Sequence, residues 1–220
     1  MNRLAIFDCD GTLVDSGATI HRALEAAFKV HGLECPAPSV SRKVIGLSLN
    51  EAMSTLAPEY NPEALSKTYK EAFFTMRAGE QVEEPLFDGI LPLLDALAAE
   101  GWQLAVATGK SDRGLKHCLE SHGIHARFVS LQTADRHPSK PNPGMALAAI
   151  AEAGSSPEWS VVIGDTSFDM GMALAAGACA IGAAWGYHDL DELRDAGAHG
   201  VAERPSEVLG IARQWVEKAA

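Results

Sequence analysis

Short apolar runs and helical periodicities divide the chain into distinct stretches. Residues 4–7 form an apolar run that stops at Asp8. Its brevity, with Gly11 close behind, predicts a buried strand. From about residue 17 to 78 the pattern becomes helical with no strand between. Ile20, Ala23, Leu24, Ala27 and Phe28 recur at i, i+3, i+4, i+7 and i+8, one face of a helix, and Gly32 supplies its stop. A second helix is predicted over residues 48–56. A third is predicted from position 62 to about 76, with Asn61 as N-cap and Pro62 in its first turn. The polar stretch 79–85 reads as a return linker.

Beyond it, helix and strand alternate. Helices are predicted over residues 91–100, from after 110 through 119, over 143–153 and over 168–176. Strands are predicted over 103–107, 128–131 and 161–163. Residues 179–183 and 200–202 read as weaker strands, each followed by a helical pattern. Strands alternating with helices of this length imply βαβ units and a parallel sheet covered on both faces. The expected fold is an α/β, doubly wound, Rossmann-like core with an inserted all-helical domain. The core takes residues 1–16 and 80–220, and the insertion takes 17–79.

Composition sharpens this picture. A chain of 220 residues, 47% hydrophobic and 21% charged, has ordinary globular usage. At that length folding buries roughly 70–75% of the unfolded chain's surface. The formal charge of −11 argues against nucleic acid as a partner. Four cysteines without CxxC spacing argue against a disulfide framework or zinc site and fit a cytoplasmic protein. No stretch approaches the ~20 apolar residues of a membrane span.

In open α/β sheets, ligands bind outside the carboxyl ends of the strands. The residues just past each apolar run therefore assemble a site. The first strand delivers Asp8 and Asp10, the second Thr108, and the strand ending at Ile163 delivers Asp165. Lys140 lies in the loop after the third strand, and Asp169 lies four residues past Asp165, in the first turn of a helix. Four acids on one edge repel one another, by about 4 kcal/mol for a pair 4 Å apart at an effective dielectric near 20. A hard divalent cation held by oxygens relieves this. With no His or Cys nearby, Mg²⁺ is the expected ion. Thr108, the amides of Gly109 and Lys110, and Lys140 supply donors suited to phosphate oxygens.

These residues carry a resemblance. Asp8-Cys9-Asp10-Gly11-Thr12-Leu13-Val14-Asp15-Ser16 resembles the opening motif of the haloacid dehalogenase superfamily of phosphohydrolases. Thr108-Gly109-Lys110 resembles its second motif, Lys140-Pro141-Asn142-Pro143 the third, and Gly164-Asp165-Thr166-Ser167-Phe168-Asp169 the fourth. The helical block resembles the family's cap, and Trp185-Gly186-Tyr187 is similar to the phosphoglycolate phosphatase-like subgroup. The loop 133–139 departs from the Gly-Asp-Asp character common in that subgroup.

The resemblance implies a Mg²⁺-dependent phosphatase of a small-molecule phosphate monoester, and an acidic chain of this size is compatible with a monomer or a homodimer. Asp8 would be the nucleophile and Asp10 the general acid and base. Asp8, the Asp10 main-chain carbonyl and Asp165 would ligate the metal, with Asp169 in support. Thr108, Gly109 and Lys140 would hold the transferring phosphoryl group, and Gly11 would let the backbone approach it. The alternatives are a phosphomutase of the β-phosphoglucomutase type on the same scaffold and, from another class, a phospho-acceptor signalling module. Arg42 and Lys43 are read as a solvated cationic face, Trp185 as packing, and His117, His122 and His125 as a surface cluster.

Overall fold

Strand β1 (Arg3–Phe7) lies inside the sheet, and everything the site needs is arranged around its carboxyl end. The computed structural model describes residues 2–219. After β1 the chain enters four helices: α1 (Gly17–Val30), α2 (Pro38–Arg42), α3 (Leu49–Leu56) and α4 (Pro62–Ala78). It returns through residues 79–89 to α5 (Ile90–Ala99), β2 (Trp102–Thr108), α6 (Asp112–Ser121), β3 (Phe128–Thr133) and α7 (Gly144–Glu152). Next come β4 (Ser160–Gly164), α8 (Ser167–Ala175), β5 (Cys179–Ala183), α9 (Leu190–Asp195), β6 (Gly200–Ala202) and α10 (Pro205–Ala219).

The six strands pair in parallel in the order β3-β2-β1-β4-β5-β6. This is the expected doubly wound α/β architecture, with the strand order reversing around β1. Phe7 stands opposite Val106 of β2 and Ile163 of β4, so the loops after these three strands leave the sheet at one edge. That edge beside the reversal is where open sheets bind ligands.

Period-two alternation divides β1 between two cores. Ala5 and Phe7 join the apolar cluster under α5, α6 and α10, with Leu94, Leu115 and Val208 as typical members. Leu4 and Ile6 face the other way, into a cluster built largely of alanine and methionine from α7 and α8. With both faces covered, the central strands read as continuous apolar runs rather than alternating ones.

Leu24, Phe28, Met53 and Leu65 from α1, α3 and α4 form a third, separate cluster. The periodic positions of α1 are therefore its buried face, and the Asn61 side chain caps α4 by accepting from the Glu63 and Ala64 amides. The short α2 has no counterpart in the sequence pattern. Its five residues, Pro-Ser-Val-Ser-Arg, are too few to display a helical period. Among the described residues no helix is long and apolar enough to cross a membrane.

Candidate active site

Asp8 comes directly after β1 and is almost wholly buried. Its Oδ1 accepts from the Cys9 amide at 2.6 Å and lies 2.9 Å from Lys140 Nζ. Its Oδ2 is buried with no hydrogen-bond partner among the described residues. Asp165, at the end of β4, is held at both oxygens. Thr12 Oγ1 donates to Oδ1 at 2.7 Å, and the Tyr187 amide donates to Oδ2 at 2.9 Å. Gly11 has φ of +85°, and a Cβ there would sit 2.2 Å from Asp165 Oδ2, so only glycine lets the two loops approach this closely.

Asp169 lies in the first turn of α8 and closes a capping box with Thr166. Its Oδ2 accepts from the Thr166 amide at 3.1 Å and the Thr166 hydroxyl at 2.7 Å, while Oδ1 accepts from Lys140 Nζ at 2.7 Å. Lys140 is thus a buried bridge between Asp8 and Asp169, not a solvated loop lysine.

The electrostatics of this cluster are unbalanced. Burial pushes the Asp8 carboxyl up to about 7, against the pull of Lys140 and with help from Asp169 and Asp10. Asp165 is also driven well above the carboxylate range, by burial and by the charges of Asp169 and Asp8. For Lys140, burial opposes the charge but Asp169 and Asp8 more than offset it, and the net direction is up. One ammonium cannot balance three carboxylates, whose ligand atoms lie within 4.8 Å of one another. An all-oxygen donor set, a charge deficit and an unpartnered Asp8 Oδ2 fit a hard divalent cation.

Asp10 faces a different neighbourhood. It accepts from the Ser16 hydroxyl and pairs with Lys110 Nζ at 2.8 Å, and the same Nζ reaches Glu84 Oε1 at 2.7 Å. Thr108 ends β2 beside this group, with its Oγ1 accepting from the Lys110 amide at 3.2 Å. A Cβ on Gly109 would lie 2.3 Å from the Leu47 carbonyl oxygen, because the loop between α2 and α3 presses its backbone onto Gly109. The same loop is tied to the core where the Ser48 amide donates to Ser139 Oγ at 2.8 Å. A Cβ on Gly46 would stand 3.2 Å from Thr166 Oγ1 and 3.8 Å from Asp8 Oδ2. The helical block therefore lies directly over the strand edge.

The structure gathers Asp8, Asp165 and Asp169 into one carboxylate cluster, with Lys140 bridging Asp8 and Asp169, and sets Asp10, Gly11, Thr108 and Gly109 around it. Several supporting groups escape a reading of the sequence. Thr12 and Ser16 belong to the first motif and the Lys110 side chain to the second, but no spacing rule says which atom each will grip. Glu84 carries no sequence signal, and Tyr187 stands out in the sequence only within Trp185-Gly186-Tyr187, where nothing marks its amide as a donor to Asp165. Of the other basic residues, Lys43 pairs with Glu192 at 2.5 Å, and His122 Nε2 donates to the Glu84 carbonyl at 2.7 Å. Trp185 packs against the core and donates to the Thr12 carbonyl at 3.0 Å.

A family model described as "Haloacid dehalogenase-like hydrolase" matches residues 5–183, a span that holds Asp8, Lys140, Asp165 and Asp169 together with Asp10, Thr108 and Gly109. The chain belongs to the haloacid dehalogenase-like hydrolases. Among its relatives is the Dickeya dadantii protein named "Probable phosphatase IndB". The two are 35% identical over 217 residues, covering 96% of this chain and 94% of the relative. A phosphoglycolate phosphatase of Agrobacterium fabrum is 31% identical, with 86% and 84% of the two chains covered. A haloacid dehalogenase-like family hydrolase of Streptococcus pneumoniae superposes with a TM-score of 0.84 at 26% identity, covering 95% of this chain and 97% of that one.

Proposed function

We propose that this haloacid dehalogenase-like hydrolase is a Mg²⁺-dependent phosphatase of small phosphorylated metabolites, similar to phosphoglycolate phosphatases and working through an aspartyl-phosphate. The observation that carries the reading is Asp8 Oδ2, an uncommitted oxygen buried among carboxylates at the end of β1. A carboxylate oxygen without a partner inside a protein is costly unless a ligand uses it.

Asp8, the Asp10 main-chain carbonyl and Asp165 would hold the metal, with Asp169 supporting through its grip on Lys140. When bound, Mg²⁺ offsets the negative charge of the carboxylates and of the incoming phosphate. Lys140 fixes the Asp8 carboxylate through Oδ1 and offers positive charge to the phosphoryl oxygens, together with Thr108 and the Gly109 amide. The Asp8 carboxylate attacks phosphorus in line. The ester P–O bond breaks, and its electron pair goes to the alkoxide, which takes a proton from Asp10. Asp10 then removes a proton from water, and the hydroxide attacks phosphorus to release Asp8 and inorganic phosphate. Ser16 and Lys110 hold the Asp10 side chain where it borders the cavity.

Residues 17–79 act as a cap over the core of 1–16 and 80–220, closing the site against water during transfer. The relatives named as phosphatases, one of them a phosphoglycolate phosphatase, favour hydrolysis over a phosphomutase outcome. The test is phosphate release from a panel of esters, including 2-phosphoglycolate and hexose phosphates, with Mg²⁺ or EDTA. The expected result is Mg²⁺-dependent release that Asp8→Asn abolishes. Isomerised sugar phosphate in place of free phosphate would establish the mutase instead, and a long-lived phosphoprotein the signalling module.

A further inference from the structure

A cavity of about 450 Å³ opens between the core edge and α1, α3 and α4. Asp10, Gly109 and Lys110 line it, whereas Asp8 and Asp165 do not, so it extends from the leaving-group side of the proposed site. Ile20, Leu24, Met53 and Leu56 form an apolar wall. A two-carbon leaving group would leave most of this space to water.

The charged lining runs against the rest of the molecule. The lining carries Lys70, Arg77, Lys110 and Arg113 but, of acids, Asp10 and Asp135, in a chain whose formal charge is −11. Lys110 is already matched by Asp10 and Glu84. Arg77, near the end of α4, shares Glu84 with it at longer range. Its guanidinium lies 5.2 Å from the Phe73 ring centroid, which orients it, and Nη2 is 3.9 Å from Glu84 Oε2, too long for a hydrogen bond. Both Nε and Nη2 are buried without a hydrogen-bond partner among the described residues. A guanidinium with two free donors in a cavity wall matches a planar or tetrahedral anion.

We propose that this cavity receives the leaving alcohol and that Arg77 is the specificity residue, gripping an anionic group at the alcohol's far end. The substrate class is then a phosphate monoester whose alcohol has an apolar body longer than two carbons and ends in a carboxylate or a second phosphate. This rests on the phosphatase reading and narrows it.

Three probes share one alkyl body and one leaving oxygen: 6-phosphooxyhexanoate, hexane-1,6-diyl bisphosphate and hexyl phosphate. Wild-type protein is expected to favour at least one anionic ester over hexyl phosphate, and which one it favours identifies the anion. Arg77→Gln is expected to erase about tenfold or more of that preference, through KM rather than kcat. Arg77→Lys should keep part of it, which also excludes a folding defect as the cause. Equal loss on all three esters, or a wild-type preference for hexyl phosphate, would overturn the proposal. Release from 4-nitrophenyl phosphate without any anion preference sinks this inference alone. Release from none of the four sinks this inference, and release from none of them nor from 2-phosphoglycolate or the hexose phosphates overturns the phosphatase reading with it.

Discussion

Lys140 has the most demanding position in the molecule, a fully buried ammonium between Asp8 and Asp169. With it in place the Asp8 carboxyl is still pushed up to about 7, so without it the cluster has no internal counter-charge. Breaking a buried ion pair by removing one partner costs about 3–5 kcal/mol. Lys140→Met is therefore expected to destabilise the metal-free protein by roughly 3 kcal/mol in urea unfolding. An unchanged midpoint would mean that the carboxylates are compensated elsewhere. The aspartates and Lys140 are visible in the sequence because each comes after an apolar run at one sheet edge. The gripping atoms are not, since Tyr187 reaches Asp165 through a backbone amide that any residue could supply. Arg77 is invisible for a related reason: its importance lies in the contacts it fails to make, and spacing cannot show that.

Elements with strong local rules are the legible ones. The i, i+3, i+4 face of α1 and the Asn-Pro start of α4 appear in the fold where their patterns place them. Helix α2 and the loop after it are not legible, because a tertiary contact with Gly109 shapes that loop rather than any period. Two substitutions separate these cases. Asn61→Ala removes two accepted hydrogen bonds and should cost about 1 kcal/mol of stability with kcat retained, measured by denaturant titration and steady-state turnover. Gly109→Ala places a methyl group where the Leu47 carbonyl lies. It should lift the α2–α3 loop and lower kcat/KM at least tenfold, while the melting temperature moves by only a few degrees. A large stability loss without a rate effect would show that this contact serves folding instead.

At the scale of the whole molecule, a doubly wound core supplies the acids and a helical block with its own apolar cluster covers them. Lys43 at the end of α2 spans to Glu192 in α9, one of the polar contacts that hold the block against the core. If the block opens to admit substrate, joining cysteines at 43 and 192 with a cleavable bismaleimide, in a Cys35→Ser background, should suppress turnover. Cleaving the linker should restore it, and full activity in the linked protein would remove the gating role. The proposed chemistry as a whole turns on whether phosphorus is transferred to Asp8. Acid quenching during Mg²⁺-dependent turnover, followed by peptide mass spectrometry, addresses that step directly. The predicted result is a hydroxylamine-labile phosphoryl group on the Asp8 peptide, absent in Asp8→Asn. Turnover that persists in Asp8→Asn with no label on the wild-type peptide would contradict it.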